Sequence, residues 1–490
     1  MLEQLQPKEV FHFFEEICNI PHGSYNIDKI SDYLYQFGKD RNLETYQDEL
    51  KNVIIIKEAT KGMEGKPPII IQGHMDMVAV KNEGCHKNME TEGLDLAIDG
   101  DFIYAKETSL GGDDGIAVAY ALALLDSKDI PHPRLEVVIT VNEEVGMDGA
   151  IGIDLSMLKG KQLLNIDSEK EGELTVACAG GVCVNAVFKP AWNEVEGKKY
   201  RLTLSGLAGG HSGVEIHKRS GNANKILMNV LYLMAREADM TLLSFEGGTK
   251  DNVIPSSASC EFVSRADEEM LTGLVEVMSE TLAEEWKKTD SGLTLSIEKI
   301  NDAENKKVSE GKLVEQRGLD GNDFFDLLKF FMDVPNGVQK MSPDLEGLVQ
   351  TSLNLGVIRL ENNGQLKATF SLRSSVLQER NELAKIVMDM VEQCGGKAKP
   401  VGQYPAWEYR KQSPLRDRMV KVYKQMFGKD MTVLSIHAGL ECGILSEKIE
   451  DLDSVSFGPD IFDIHTTQER LSISSVQRMW NYILEVIKGE

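Results

Sequence analysis

The sequence predicts an α/β fold in which a domain with a central sheet is interrupted by an inserted α+β domain. In the first part of the chain, short apolar runs alternate with helical patterns, which is typical of a sheet covered by helices. From about residue 182 to residue 397, apolar and polar residues alternate within the strands, which indicates strands with one solvated face. The predicted domains are therefore residues 1–181 with 398–490, and residues 182–397 as the insertion.

The elements of the first domain follow from hydrophobic spacing. Apolar residues recur with the helical period over residues 8–20 and 27–37, and an alanine-rich helix over 116–125 follows the glycine turn at 111–115. The predicted strands are 43–46, 52–57, 68–72, 101–105, 135–141 and 162–166.

The insertion and the last part of the chain have their own pattern. The insertion has predicted strands at 199–205, 293–299 and 368–373, and predicted helices at 222–237, 267–287, 324–332 and 379–394. The α/β pattern resumes near Pro400, with elements at 415–427, 432–434 and 474–487. No internal repeat stands out, and the charged stretch 302–312 is predicted to be a solvated loop.

Composition excludes several classes of protein. A net charge of −25 disfavours nucleic acid and anionic membranes as partners, because their phosphates repel such a surface. No segment reaches the roughly 18 apolar residues of a membrane span. The 7 cysteines are odd in number and include no C-x-x-C pair, which indicates free thiols in a reducing compartment. With no basic, apolar leader at residue 1, the expected location is the cytoplasm.

His74 and Asp76 follow a buried strand in the stretch I-I-I-Q-G-H-M-D-M-V (69–78). Side chains two residues apart on an extended chain point the same way, so the two would share a face at the end of a strand. An imidazole beside a carboxylate can be a metal ligand with its orienting partner. Alternatively, both are ordinary polar loop residues that face solvent at the end of a strand.

Further acids and a late histidine extend this pattern. Asp113, Glu143, Glu144 and Asp167 each follow a predicted strand or a glycine turn, and His465 lies near the end of the chain. Such a ligand set suits a two-metal site that activates water, with zinc favoured by mixed nitrogen and oxygen donors and manganese or cobalt as alternatives. Of two adjacent glutamates, one can bind metal while the other acts as general base. Taken singly, however, the two aspartates are more simply explained as turn residues.

Five short motifs occur in one order along the chain: G-H-M-D-M-V (73–78), L-G-G-D-D-G (110–115), N-E-E-V-G (142–146), N-I-D-S-E (165–169) and G-G-H-S-G (209–213). Together they resemble the M20 family of dinuclear metallopeptidases. The later stretch I-H-A-G-L-E-C-G (436–443) and His465 resemble its aminoacyl-histidine dipeptidase branch. The resemblance runs through nearly the whole chain and implies a zinc-peptidase catalytic domain with an inserted lid.

The resemblance also implies roles for the acids and histidines. Two Zn²⁺ ions would be held by His74 and Asp167 on one side, Glu144 and His465 on the other, and Asp113 as the bridge. Asp76 would hold the His74 ring, and Glu143 would be the general base. The family usually has a cis peptide after the bridging aspartate. It more often has asparagine where this chain has Asp114, which adds a charge at that position.

In the inserted domain, the resemblance implies substrate contacts. His211 would stabilise the oxyanion, reaching in from the partner subunit of a homodimer formed through the lid. Asn252 and Arg373 would contact the substrate, with Arg373 gripping its carboxylate. His437 and Gly439 would line the carboxylate pocket. Without the motifs, His211 would be an exposed loop residue, Asn252 a turn residue and Arg373 a surface arginine.

The resulting hypothesis is metal-dependent hydrolysis of dipeptides that prefers Xaa-His, including β-alanyl-histidine. A metal-bound water would be the nucleophile, with Glu143 as its base. The alternatives are another M20 hydrolase, either a tripeptidase or an N-acyl amino-acid deacylase, and a metal-binding regulatory protein without catalysis. Glu143 argues against the last alternative, since a binding module has no use for a free base beside a complete ligand set.

Overall fold

A computed structural model describes residues 2–300, 317–345, 347–360 and 364–489 of the chain. The predicted solvated loop at 302–312 lies outside these residues. The helices are α1 (Lys8–Cys18), α2 (Asp28–Asp40), α3 (Gly112–Asp126), α4 (Asp148–Gly152), α5 (Ala223–Glu237), α6 (Glu268–Glu285), α7 (Gly321–Asp333), α8 (Leu377–Gln393), α9 (Pro414–Phe427), α10 (Glu441–Lys448) and α11 (Ile473–Lys488).

The strands complete the set of elements. They are β1 (Glu44–Gln47), β2 (Val53–Lys57), β3 (Ile69–His74), β4 (Leu96–Asp99), β5 (Phe102–Ala105), β6 (Leu135–Thr140), β7 (Gln162–Asn165), β8 (Glu173–Cys178), β9 (Gly180–Phe188), β10 (Trp192–Glu194), β11 (Lys198–Ser205), β12 (Met240–Gly247), β13 (Ala258–Ser264), β14 (Thr294–Lys299), β15 (Arg317–Leu319), β16 (Gly337–Met341), β17 (Val349–Leu360), β18 (Leu366–Ser374), β19 (Lys397–Tyr404), β20 (Thr432–Ile436), β21 (Asp453–Ser456), β22 (Ile461–Phe462) and β23 (Arg470–Ser472). The predicted α/β class is confirmed, and no described helix is both long and apolar enough to cross a bilayer.

The chain forms two compact units. The first comprises Met1–Cys178, Tyr409–Ser435 and Leu440–Glu490, and the second comprises Ala179–Glu408 and Ile436–Gly439. These bounds differ from the predicted boundary at 397/398, because β19 pairs with β9 and so continues the sheet of the second unit. Its sequence hid this pairing, since Pro400 breaks the strand pattern and is tolerated only because β19 is an edge strand.

The first unit is built on an eight-stranded sheet with the order β1-β2-β6-β3-β7-β21-β8-β20. Strand β3 runs parallel to both β6 and β7, with His74 opposite Thr140 and Gln72 opposite Asn165. The carboxyl ends of these three strands therefore lie side by side, which is where sites form in α/β sheets. Helix α3 packs against α1 and β3, and its alanine-rich turns are buried all round.

The second unit contains a repeated order of elements. One half follows the order β11-α5-β12-β13-α6-β14, and the other follows β9-α7-β17-β18-α8-β19. Their strands lie in mirrored order in one sheet, β14-β11-β13-β12 followed by β17-β18-β9-β19. The two halves join where β12 pairs with β17, through Glu246 opposite Arg359 and Gly247 opposite Ile358. The amino-acid sequence shows no such repeat, so the similarity lies in topology alone.

Candidate active site

Asp113 lies between two imidazoles in the first unit. Its Oδ1 is 3.2 Å from Nε2 of His74, and its Oδ2 is 3.2 Å from Nε2 of His465. His74 is the last residue of β3, Asp113 lies in the irregular first turn of α3, and His465 lies in the loop between β22 and β23. The fold thus brings together three residues that are far apart in the sequence.

Two further carboxylates extend this group, one at each histidine. Oε1 of Glu144 is 2.9 Å from Nε2 of His465, and Oδ1 of Asp167 is 3.6 Å from Nε2 of His74. Ligand atoms of His74, Asp113 and Glu144 all lie within 4.8 Å of one another, so this group could hold a metal ion. We call these five residues, His74, Asp113, Glu144, Asp167 and His465, the acidic cluster.

The electrostatics of the acidic cluster favour bound positive charge. Contacts with Asp113 and Glu144 raise the pKa of His465 to about 10. Burial raises the pKa of Asp167 to about 6. Burial alone would also raise the pKa of Asp113, yet its contacts with His465 and His74 hold it below its usual range. Contacts with Asp113 and Asp167 likewise raise the pKa of His74 despite its burial. The two imidazoles therefore supply positive charge that cations could supply instead, and the nitrogen and oxygen donors fit such ions.

Asp76 fixes two parts of the site. Nδ1 of His74 is 3.0 Å from the backbone oxygen of Asp76 and 3.5 Å from its carboxylate, so the ring is oriented mainly by the main chain. The carboxylate accepts hydrogen bonds from the Ser24 hydroxyl at 2.8 Å and from the backbone N–H of Glu143 at 3.1 Å. The Asp76 side chain thereby fixes the turn that carries Glu143.

Glu143 begins a single 3₁₀ turn, Glu143–Val145, and two residues separate this turn from the end of β6. The preceding Asn142 has a φ of 54°, and its side chain accepts a hydrogen bond of 2.7 Å from the backbone N–H of Tyr25. Burial raises the pKa of Glu143 well above its usual value. A carboxylate with a raised pKa can hold a proton during a reaction.

Asp114 supports the backbone beside His74. Its Oδ2 accepts a hydrogen bond of 3.2 Å from the backbone N–H of His74. A Cβ at Gly73 would lie 2.4 Å from this oxygen, so the close approach requires glycine there. The peptide bond between Asp113 and Asp114 is cis, as the family pattern implies.

The second unit holds a different group of polar residues. Arg373, which is only 9% exposed, donates from Nη1 to the Tyr404 hydroxyl at 2.8 Å. Its Nε is buried and has no hydrogen-bond partner in the part of the chain that the structure describes. Nε2 of His437 is 2.8 Å from the Ser352 hydroxyl. Burial, with Arg373 nearby, lowers the pKa of His437 to about 3, so this imidazole is neutral.

His211 is also held as a neutral imidazole. Its Nδ1 accepts hydrogen bonds of 3.2 Å from the backbone N–H groups of Gly213 and Val214, which leaves the proton on Nε2. Burial and the charge of Arg373 lower its pKa. The backbone oxygen of Asn252 accepts from the N–H of Ser212 at 2.9 Å and so supports this loop.

His211, Arg373 and His437, which we call the donor cluster, are thus electrostatic neighbours. Gly439 ends the short segment Ile436–Gly439 that carries His437. For Asn252, the structure records a backbone contact rather than a contact of the side chain that the motif singled out.

Two buried glutamates were not anticipated from the sequence. Glu441 accepts hydrogen bonds from Gln72 at 2.5 Å and from Thr140 at 2.6 Å, and burial raises its pKa to about 7. Glu469 contacts the loop that carries Asp113. The only available signal was position, because Glu441 lies inside the stretch 436–443 and Glu469 lies four residues after His465.

Comparisons with known proteins extend over the full chain. The family described as Peptidase family M20/M25/M40 matches residues 70–489. The chain is 34% identical over 490 residues to the cytosol non-specific dipeptidase of Escherichia coli (strain K12), covering 99% of this chain and 98% of the relative.

Solved structures agree in fold. The crystal structure of aminoacylhistidine dipeptidase from Vibrio alginolyticus matches with a TM-score of 0.92 and 34% identity, covering 100% of this chain and 98% of that one. An aminopeptidase from Bacillus cereus matches with a TM-score of 0.56 and 15% identity over 99% of this chain and 98% of its own, which shows similarity of fold alone.

Proposed function

Since the chain belongs to peptidase family M20/M25/M40, we propose that it is a metal-dependent dipeptidase that prefers Xaa-His substrates, including β-alanyl-histidine. The observation that carries the proposal is the placement of Asp113 between the imidazoles of His74 and His465. The full-length similarity to a non-specific dipeptidase and to an aminoacylhistidine dipeptidase supports the substrate class.

The acidic cluster is proposed to hold two Zn²⁺ ions, with Mn²⁺ or Co²⁺ as alternatives. His74 and Asp167 would hold one ion, Glu144 and His465 the other, and Asp113 would be shared. The pairing of one imidazole with one carboxylate on each side of Asp113 supports this division. Such cations, when bound, polarise a carbonyl group and make water nucleophilic near neutral pH.

Glu143 is proposed as the general base. It would accept the proton of the attacking water and pass it to the leaving amine. Its raised pKa and the fixation of its backbone by Asp76 support this role. Asp76 also keeps the His74 ring oriented, so that Nε2 points toward the carboxylates.

The donor cluster is proposed to recognise the substrate. Arg373 would bind the terminal carboxylate. Its buried Nε, which has no hydrogen-bond partner among the described residues, supports this role, because a buried donor without an acceptor is costly. His211 would donate from Nε2 to the developing oxyanion. Asn252, His437 and Gly439 are proposed as further substrate contacts.

A homodimer formed through the second unit, with His211 contributed by the partner subunit, and a cytoplasmic location are proposed as well. They rest on the family resemblance and on the description of the Escherichia coli relative as a cytosol enzyme.

The test is hydrolysis by protein stripped of metal and reloaded with zinc, manganese or cobalt. The substrates are β-alanyl-histidine, several Xaa-His and other dipeptides, a tripeptide and an N-acetyl amino acid. We expect metal-dependent cleavage of the dipeptides, fastest for Xaa-His. Cleavage of only the tripeptide or the acetylated substrate would overturn the substrate class. Two bound ions without any cleavage would instead favour a metal-binding regulatory protein.

A further inference from the structure

The carboxylate of Glu469 is buried, with 3% of the residue exposed, and accepts hydrogen bonds from four consecutive backbone N–H groups. Its Oε2 accepts from Leu110 at 2.8 Å and Gly111 at 3.0 Å, and its Oε1 accepts from Gly112 at 2.8 Å and Asp113 at 3.3 Å. Each oxygen is thus used twice, and a carboxylate offers about four such acceptor positions. Glu469 therefore has no free lone pair for a cation.

Two of these N–H groups, of Leu110 and Gly111, lie just before α3, and the other two, of Gly112 and Asp113, lie in its irregular first turn, where a helix has no internal acceptors. No local side chain caps this helix, whose N-cap residue is Gly111. Glu469 performs that task from a distant part of the chain. A Cβ at Gly112 would lie 3.3 Å from its Oε1, so glycine at this position allows the carboxylate to approach. Negative charge at the N-terminus of a helix is also favoured by the peptide dipoles.

Glu469 lies in the same loop as His465, and that loop has an uncommon backbone. Asp463 and His465 have φ angles of 54° and 61°, in the left-handed region that residues other than glycine rarely adopt. Such a conformation persists only where the surroundings determine it. Anchoring at Glu469 holds the far end of this loop against the loop that carries Asp113.

We propose that Glu469 is a positioning residue that holds the loops of Asp113 and His465 at a fixed distance from each other. It thereby sets the affinity for the cation held on the His465 side of the acidic cluster. This inference rests on the proposed metal site. It goes beyond the ligand assignment, because Glu469 would act through four backbone groups and without touching the ion. Partners that orient metal ligands typically change affinity by about 10–100-fold when removed.

Glu136 provides a matched control at the other end of the sheet. It is fully buried at the start of β6, and its carboxylate accepts from the backbone N–H groups of Lys159 at 3.0 Å and Gly160 at 2.8 Å. The substitution Glu136→Gln therefore also disturbs a buried carboxylate that holds a loop. It does so away from the acidic cluster, and it reports what a loss of stability alone would do.

The experiment is calorimetric titration of metal-stripped protein with Mn²⁺ or Zn²⁺, with bound ions counted by elemental analysis. For Glu469→Gln we expect the ion held by Glu144 and His465 to bind about 10–100-fold more weakly. The ion held by His74 and Asp167 should be weakened less, because it would be affected only through the shared Asp113. Glu469→Asp keeps the charge but shortens the reach, and should fall between the wild type and Glu469→Gln. Glu136→Gln should bind both ions normally despite a lower melting temperature.

Normal binding of both ions by Glu469→Gln would overturn the proposal. The proposal would also be overturned if Glu469→Gln and Glu136→Gln weakened ion binding to the same extent. If Glu469→Gln does not fold, Glu469→Asp decides between the same outcomes. Failure of the wild-type protein to bind two ions would contradict the proposed metal site itself, so the two failures are distinguishable.

Discussion

The acidic cluster of the first unit is rich in carboxylates, whereas the donor cluster of the second unit contains a guanidinium group and two imidazoles. The two groups therefore differ in the sign of their charge and in the kind of partner that each lacks. In the acidic cluster, three carboxylates lie beside two imidazoles. The positive charge of the imidazoles balances only part of the negative charge of the carboxylates. The donor cluster has two neutral imidazoles and a guanidinium nitrogen that finds no acceptor among the residues the structure describes. The proposed function supplies cations to the first group and a substrate carboxylate to the second.

The proposed function assigns the chemical step to the acidic cluster and substrate recognition to the donor cluster. Acids that share protons and cations are suited to activating water, whereas fixed donors are suited to binding a carboxylate or an oxyanion. If the division holds, substitutions in the first unit should change turnover, and substitutions in the second should change substrate affinity. Two predictions test this, and a third concerns the stability of the second unit; they are given from the largest expected effect to the smallest.

The largest effect is expected for Glu143→Gln. The amide cannot accept a proton, so kcat should fall by about 10²–10⁴-fold, the usual contribution of a general base. KM should change little, and the number of bound metal ions should stay the same because Glu143 is not a proposed ligand. The measurement is steady-state kinetics on an Xaa-His dipeptide with metal content determined in parallel.

Asp148→Asn is a suitable control for Glu143→Gln, since it neutralises an exposed carboxylate nearby. Full activity in Glu143→Gln would exclude the proposed base. Loss of metal along with activity would show that Glu143 serves binding rather than proton transfer.

A smaller effect, of the opposite kind, is expected for Arg373→Met. Hydrogen bonds to a charged group contribute about 1.5–3 kcal/mol, so KM for dipeptides should rise by about 10–150-fold, with a lesser change in kcat. A dipeptide amide lacks the carboxylate, and its KM should be almost unaffected. The measurement compares the free acid and the amide of one dipeptide.

Arg359→Met is the control, because Arg359 is a strand arginine of the same sheet that pairs with Glu246 instead. An equal rise in KM for the acid and the amide would show that Arg373 does not recognise the carboxylate.

The smallest effect concerns stability and pH. The pKa of His437 is about 3 in the folded protein against an ordinary value of 6.5, so the unfolded chain takes up the proton first. The contribution of His437 to the free energy of unfolding is therefore complete above pH 6.5, and it is lost as the pH falls toward 3. Between pH 7.5 and pH 5 the loss amounts to about 2 kcal/mol.

Denaturant unfolding of wild type and His437→Gln at the two pH values measures this loss. Tryptophan fluorescence reports mainly on the second unit, which contains Trp192, Trp286 and Trp407. The wild type should lose more stability than His437→Gln on acidification. An identical loss in both proteins would show that His437 is not the group responsible.

The sequence predicted best those residues whose chemistry and position both carry information. The acidic cluster could be anticipated because acids and histidines at the ends of apolar strands are unusual, and the motif order joined them. Asp76 was anticipated as the partner of His74, although its backbone oxygen is the closer contact. In the second unit, the alternating strands indicated an α+β arrangement, but their pairing could not be derived.

The remaining features depend on contacts that sequence spacing does not encode. Glu469 resembles any loop glutamate until the fold brings it to the start of α3. Strand β19 has a proline and little apolar content, and its place in the sheet is determined by pairing with β9. The repeated topology of the second unit leaves no trace in residue identity, because a sheet register can be kept by many different side chains.

The repeated halves of the second unit differ in how their strands are connected, and this has a consequence for folding. The half from β11 to β14 is continuous in the chain, and its most distant paired strands, β11 and β14, join Ser205 to Thr294. In the other half, β9 must pair with β18, joining Phe188 to Leu366 across the whole continuous half. Closing the longer loop costs more chain entropy. If the continuous half has already folded, fewer flexible residues remain between β9 and β18, and closing the loop costs less. The insertion of one half within the other therefore favours an order of folding in which the inner half forms first. Its strand β12 then offers an edge with which β17 of the outer half can pair.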